Sequence, residues 1–148
     1  MINKDIVFLN RDFKDSRELL SSISEELLSK GYVKDSFREG IMKREEEYPT
    51  AIQAENFSLA IPHTDSEHIL KPGIAFVRLN NGCDFKEMCT NEDIKVNMAF
   101  VLLVKEKEKQ VSLLTKLMGL FSNNDILEKL YKENDPSVIE AMLNREIQ

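Results

Sequence analysis

Apolar positions along the chain change period several times, and each change marks an element. The run Asp5 to Leu9 predicts a short strand, and the polar stretch Asn10 to Lys14 leads out of it. Leu19, Leu20, Ile23, Leu27 and Leu28 then recur at helical spacing, with Asp15 or Ser16 placed to cap the helix and Gly31 to end it in the left-handed conformation. A second helix starts near Ser36, where Ser36 and Glu39 spell a capping box. Phe37, Ile41 and Met42 form its apolar face, and Lys43, Arg44, Glu45, Glu46 and Glu47 crowd its end before Tyr48 and Pro49.

Three strand-like runs follow. Phe57 to Ile61 is stopped by Pro62, which has no backbone donor. Gly73 to Leu79 runs into Asn80, Asn81 and Gly82, a turn signal, and the connection from Gly82 to Glu92 is polar and irregular. Ile94 to Val104 alternates and then becomes continuously apolar from Met98, as expected of a strand covered on both faces. From Lys105 the period is helical again. Val111, Leu114, Leu117, Met118 and Phe121 share a face that reads as core, and the charged run Lys105 to Lys109 reads as a solvated helix start. Two shorter helices, about Asn124 to Lys132 and Pro136 to Glu146, finish the chain; Asp135 caps the second and Pro136 takes its first position.

The order is one strand, two helices, three strands and three helices, which predicts an α/β fold: a three-layer α/β/α sandwich on a mixed sheet, with residues 1–148 as a single domain. At 148 residues and 42% apolar content, a core of useful size needs no disulfide or metal. No apolar run approaches the roughly 18 residues of a membrane span. The N-terminal stretch carries Asp5, Asp12 and Asp15 and lacks a signal-peptide pattern, so a cytoplasmic protein without membrane insertion is expected. Cys83 and Cys89 then read as free thiols in the polar connection. A net charge of −6 argues against nucleic acid and suits a basic protein partner.

The chemistry concentrates in Asn56 to Leu79, NFSLAIPHTDSEHILKPGIAFVRL, where a strand delivers His63 to the edge of the sheet. Thr64 and Glu67 make another capping box, predicting a short helix from Thr64 to Lys71 and placing His63 beside free helix-start amides, where an anion is favoured. An imidazole with a pKa near 6.5 is substantially neutral at neutral pH, so its bare nitrogen can attack phosphorus without a separate base. Taken alone, a histidine at such a corner is more often a structural hydrogen-bonder. Arg44 reads equally as a phosphoryl-stabilising cation or as a partner of Glu45 or Glu47, and Thr64 as a phosphoryl donor or only a cap. A metal site from His63, His68, Cys83 and Cys89 does not match zinc-knuckle spacing, and no nucleophile elbow is present. No metal or other cofactor is expected.

The run AIPHTDSEHILKPGIAF, with the helix before it and the strand DIKVNMAFVLLV after it, resembles the type-2 IIA component of the bacterial sugar phosphotransferase system, the mannitol/fructose family. The form IPHTD-x-EH-x-LKP is most similar to its galactitol-type members, and the resemblance covers nearly the whole chain. It implies the same sandwich architecture and no soluble cofactor. It also implies that His63 takes a phosphoryl group from HPr and gives it to a cysteine of a IIB partner while IIC, which selects the sugar, imports it. Arg44 matches the family's arginine near the phosphohistidine. Gln110 stands where mannitol-type relatives carry a second active-site histidine, so a two-histidine mechanism is not expected; Thr64, Gln110 and His68 are the further candidate contacts. A docking rim drawing on Ile69, Leu70 and residues near Gln110 would serve both partners. The alternative is a regulatory module that reports its phosphorylation state by binding other proteins.

Overall fold

Alternation along the two longest strands divides the interior in two. In the computed structural model, which describes residues 1–147, these strands are β4 (Gly73–Lys86) and β5 (Asp93–Leu103). Ala75, Val77, Val101 and Leu103 point to one face of the sheet, and Ile74, Phe76, Phe100 and Leu102 to the other. Each face needs its own cover, and the helices supply it. α1 (Ser16–Ser29) and α2 (Phe37–Glu47) lie on the first face; α3 (Lys107–Phe121), α4 (Asn124–Lys132) and α5 (Pro136–Ile147) lie on the second. With β1 (Val7–Arg11), β2 (Ala51–Gln53) and β3 (Ser58–Ala60), the sheet has the order β1-β4-β5-β3-β2. β1 runs parallel to β4 and β3 parallel to β5, while β4–β5 and β2–β3 are antiparallel. The expected three-layer sandwich and mixed sheet are therefore present.

The helical stripes bury as their spacing requires. Leu19, Leu20, Ile23 and Leu27 of α1 are enclosed, each contributing about 1.5–3 kcal/mol. The Asp15 carboxylate accepts from the Glu18 amide at 3.0 Å, and Gly31 closes the helix at φ 82°. Asp135 accepts from the Ser137 amide at 2.9 Å ahead of α5.

Several expectations are corrected. The first strand begins at Val7, because Lys4–Ile6 form a 3-10 turn capped by Asn3. Ala51–Gln53 adds a fourth strand to the central set; it has only three residues and no period to read. Asn80, Asn81 and Gly82 do not turn the chain but continue β4 through a bulge: Arg78 pairs with Met98 and Cys83 with Val96, leaving Leu79 to Gly82 opposite Asn97 alone. Both asparagine side chains donate to Asp12, and a Cβ at Gly82 would come within 2.7 Å of the Lys95 Cβ, so glycine permits the close approach. Cys83 is consequently buried in a strand, and burial pushes its thiol up to about 12; only Cys89 is exposed, and both are free. On α3 the buried stripe is Leu113, Leu117, Leu120 and Phe121, whereas Val111 and Met118 face solvent. Among the described residues no helix is long and apolar enough to cross a membrane.

Candidate functional site

The parallel pair β3 and β5 ends on one side of the sheet, and everything that matters chemically collects there. β3 ends at Ala60 and releases Ile61, Pro62 and His63; β5 ends at Leu103 and releases Val104 towards the start of α3. The released segment is held from both sides. On the β5 side, the Leu102 amide donates to the Pro62 carbonyl at 3.0 Å. On the β2 side, the Ile61 amide donates to Thr50 Oγ1 at 3.2 Å. One residue further on, His63 Nδ1 lies 2.7 Å from the Ile61 carbonyl oxygen. A carbonyl only accepts, so Nδ1 carries the proton and the neutral ring presents a lone pair at Nε2.

The ring is half-buried, and burial lowers its pKa below the usual value near 6.5. The Ile61 bond opposes that shift, and the positive charge of Arg44 adds to it. Arg44 sits in the last turn of α2, exposed, with its guanidinium 4.6 Å from the centre of the Tyr48 ring. Among the described residues it has no carboxylate partner, so pairing with Glu45 or Glu47 is not what holds it.

Neither predicted capping box forms. Asp65 precedes a single 3-10 turn, Ser66–His68, in place of a helix from Thr64 to Lys71, and it makes no side-chain cap bond. Thr64 is buried instead. It packs with His68 against α2 at Gly40, where a Cβ would meet His68 Nε2 at 2.9 Å and Thr64 Oγ1 at 3.2 Å. Ser36 likewise leaves its cap role, because its hydroxyl is 2.7 Å from His68 Nδ1. His68 therefore ties the loop after His63 to the start of α2. Ile69 is buried and cannot serve as a docking rim, whereas Leu70 is exposed.

The helix start that does open on this corner belongs to α3. Its N-cap, Glu106, makes no side-chain cap bond, so the Lys107 and Glu108 amides stay available, and Lys107 and Gln110 line a cleft of about 350 Å³ with Asp65, Ser66, Glu67 and Val104. Gln110 is thus brought to the segment that follows His63, with Lys107 beside it.

Sequence reasoning missed Glu45 and Thr50. Thr50 donates to the Glu45 carboxylate through its amide and through its hydroxyl, both at 2.8 Å, and both side chains are buried. Burial raises the Glu45 pKa to about 7 against the lowering effect of those two bonds. One signal was available: Phe37, Ile41 and Glu45 recur every four residues, which puts a carboxylate on the buried stripe of α2.

A half-buried imidazole with one nitrogen fixed, a nearby unpaired arginine and an open helix start make this corner suited to binding an anion at nitrogen, on an α/β sandwich. The family described as "Phosphoenolpyruvate-dependent sugar phosphotransferase system, EIIA 2" matches residues 1–146. The galactitol-specific EIIA component of Escherichia coli strain K12 is 34% identical over 118 residues, covering 80% of this chain and 79% of that protein. The fructose-specific EIIA component of Haloferax volcanii is 27% identical over 112 residues, 74% of this chain and 69% of that one. Among solved structures, IIA mannitol from Escherichia coli superposes with a TM-score of 0.76 at 19% identity, covering 100% of this chain and 99% of that one. A complex of enzyme IIA mannitol with phosphorylated IIB mannitol from the same organism gives 0.76 at 21% identity, covering 98% and 99%. The chain belongs to the EIIA type-2 family of the sugar phosphotransferase system.

Proposed function

We propose that His63 accepts a phosphoryl group on Nε2 from phospho-HPr and passes it to a cysteine of a IIB partner, and through it to transport by IIC, in a galactitol-like uptake system. The observation that carries this reading is the 2.7 Å bond from His63 Nδ1 to the Ile61 carbonyl, which fixes the tautomer and leaves Nε2 as the nucleophile. The lowered pKa keeps that nitrogen unprotonated at neutral pH. In the first transfer the Nε2–P bond forms as the donor's N–P bond breaks, and the electron pair returns to the donor nitrogen. Nδ1–H stays on Ile61 throughout, so no proton needs to move.

Arg44 supports the spreading negative charge of the phosphoryl oxygens, and the first turn of α3 with Gln110, which lines the cleft beside Asp65 to Glu67, offers further donors. Thr64 and His68 support the loop that carries His63, Thr64 by packing at Gly40 and His68 through Ser36. The galactitol assignment rests on the 34% identical relative. Residues 1–148 would act as one domain, in the cytoplasm, with no cofactor.

Labelling from phosphoenolpyruvate through enzyme I and HPr tests the reading. Wild type is expected to take up acid-labile phosphate and to lose it to a galactitol-type IIB, while His63→Ala takes up none. Uptake by His63→Ala at the wild-type rate would end the assignment.

A further inference from the structure

We propose that Glu45 is a positioning residue for this transfer, acting through Thr50 on the Ile61 backbone that orients the His63 ring. The inference rests on the reading of His63 as the phosphoryl acceptor. Its basis is a continuous set of bonds at the point where the sheet stops. The β2–β3 ladder ends with Ala51 opposite Ala60, so the next amide, Ile61, has no strand partner on that side. The Thr50 hydroxyl takes its place at 3.2 Å. That hydroxyl can accept from Ile61 only if its own proton points elsewhere, and it points to Glu45 Oε1, 2.8 Å away. Glu45 Oε2 holds the Thr50 amide at the same distance, so the threonine is clamped by both carboxylate oxygens.

A neutral group at position 45 disturbs this arrangement. With Oε2 kept as the acceptor for the Thr50 amide, a protonated carboxyl or a carboxamide must donate at Oε1. The Thr50 hydroxyl proton then loses its acceptor and competes with Ile61 for the space around Oγ1. The ionised form is the one that completes the chain of donors and acceptors from Glu45 to His63.

The setting also argues against a purely structural carboxylate. Glu45 is 6% exposed and sits in the last turn of α2, where the helix dipole disfavours negative charge. Among the described residues no basic side chain compensates it. From α1, Arg17 lines the neighbouring cleft but lies 3.8 Å from Glu46; from β4, Lys86 lines it but is bound to Asp93 at 2.8 Å. Thr50 is the partner that makes this charge tolerable, and Thr50 is the residue that touches Ile61. Burial sets the titration of Glu45 at about 7, well inside the range where activity can be followed.

The test uses the full chain with Glu45→Gln, Thr50→Val and Thr50→Ser, phosphorylated by phospho-HPr from about pH 6 to about pH 8. Dividing each variant's profile by that of wild type removes the donor's own pH dependence. Relative to wild type, Glu45→Gln and Thr50→Val are expected to fall progressively behind as pH rises through about 7, by on the order of tenfold at the alkaline end, while Thr50→Ser stays close to wild type. On unphosphorylated protein, the Ile61 amide should exchange faster in Glu45→Gln and Thr50→Val, and the nitrogen shifts of the His63 ring should show a mixture of tautomers. Wild-type rates, profile and tautomer in both variants would overturn the proposal. If Glu45→Gln does not fold, the Thr50→Val and Thr50→Ser pair decides alone. If wild-type protein is not phosphorylated at His63, the transfer reading fails, and the exchange and tautomer measurements still decide whether Glu45 positions the ring.

Discussion

Among the described residues two helix C-termini carry a buried charge, and they are built on opposite terms. At the end of α4, the Arg78 guanidinium enters from β4 and donates to the Leu130 carbonyl at 3.1 Å, the Glu133 carbonyl, Asn134 Oδ1 at 2.6 Å and Asn10 Oδ1 at 3.4 Å. A cation there agrees with the helix dipole, and its donors are largely used. At the end of α2, Glu45 opposes the dipole, has one residue to bond to, and titrates near neutrality. A charge placed with the field and saturated by bonds joins α4 and the turn into α5 to the sheet. A charge placed against the field costs stability, and here it is linked through Thr50 and Ile61 to the backbone that holds the His63 ring.

The largest effect should follow from breaking the saturated charge. Arg78→Met takes the donor from the buried Leu130 carbonyl and from the part-buried Glu133 carbonyl, and its expected cost is about 3 kcal/mol, read as a lower urea midpoint. Phosphoryl transfer at His63, measured where the variant is still folded, should remain near wild type. A variant as stable as wild type would mean that the guanidinium is not what joins α4 to the sheet.

Arg44 sharpens the comparison from the functional side, because it is exposed and unpaired where Arg78 is enclosed and saturated. Arg44→Ala should therefore leave stability within about 0.5 kcal/mol of wild type. The transfer rate should fall on the order of a hundredfold, as when one preorganised donor to a developing charge is lost. An unchanged rate, with stability unchanged too, would make Arg44 a surface cation stacked on Tyr48.

Much of this division was legible in the sequence. The long periodic elements were readable because the sheet is covered on both faces and every helix buries one stripe. The motif around His63 and the arginine before it were readable from the family resemblance. What escaped was set by tertiary partners. The Asn80-Asn81-Gly82 signal has the chemistry of a turn, yet Asp12 and the β5 backbone convert it into a bulge. Ser36 and Thr64 have the chemistry of caps, yet His68 and Gly40 engage them. Glu45 lay among five charged residues, Lys43 to Glu47, and only its position on the stripe of Phe37 and Ile41 distinguished it. Three-residue β2 carried no period at all, although Thr50 just before it completes the support of His63.

The smallest effect, and the one that separates the two buried charges most directly, is the dependence of stability on pH. Arg78 stays protonated across the accessible range and contributes no slope. The Glu45 pKa rises from 4.5 to about 7 on folding, so the native chain binds more protons than the unfolded chain between those values. Its contribution is fully present below about pH 4.5 and is lost as pH rises through about 7. His63 acts in the opposite sense, because its lowered pKa makes the unfolded chain the better proton acceptor near 6.5, so stability there rises with pH. Comparing the chain with and without Glu45→Gln, both on a His63→Ala background, removes the His63 contribution and leaves that of Glu45. Relative to the Glu45→Gln variant, the chain with Glu45 should lose about 3 kcal/mol between pH 4.5 and pH 8, followed by urea denaturation at each pH. A difference that stays level across this range would place an ordinary carboxylate at position 45, and would remove the contrast with Arg78.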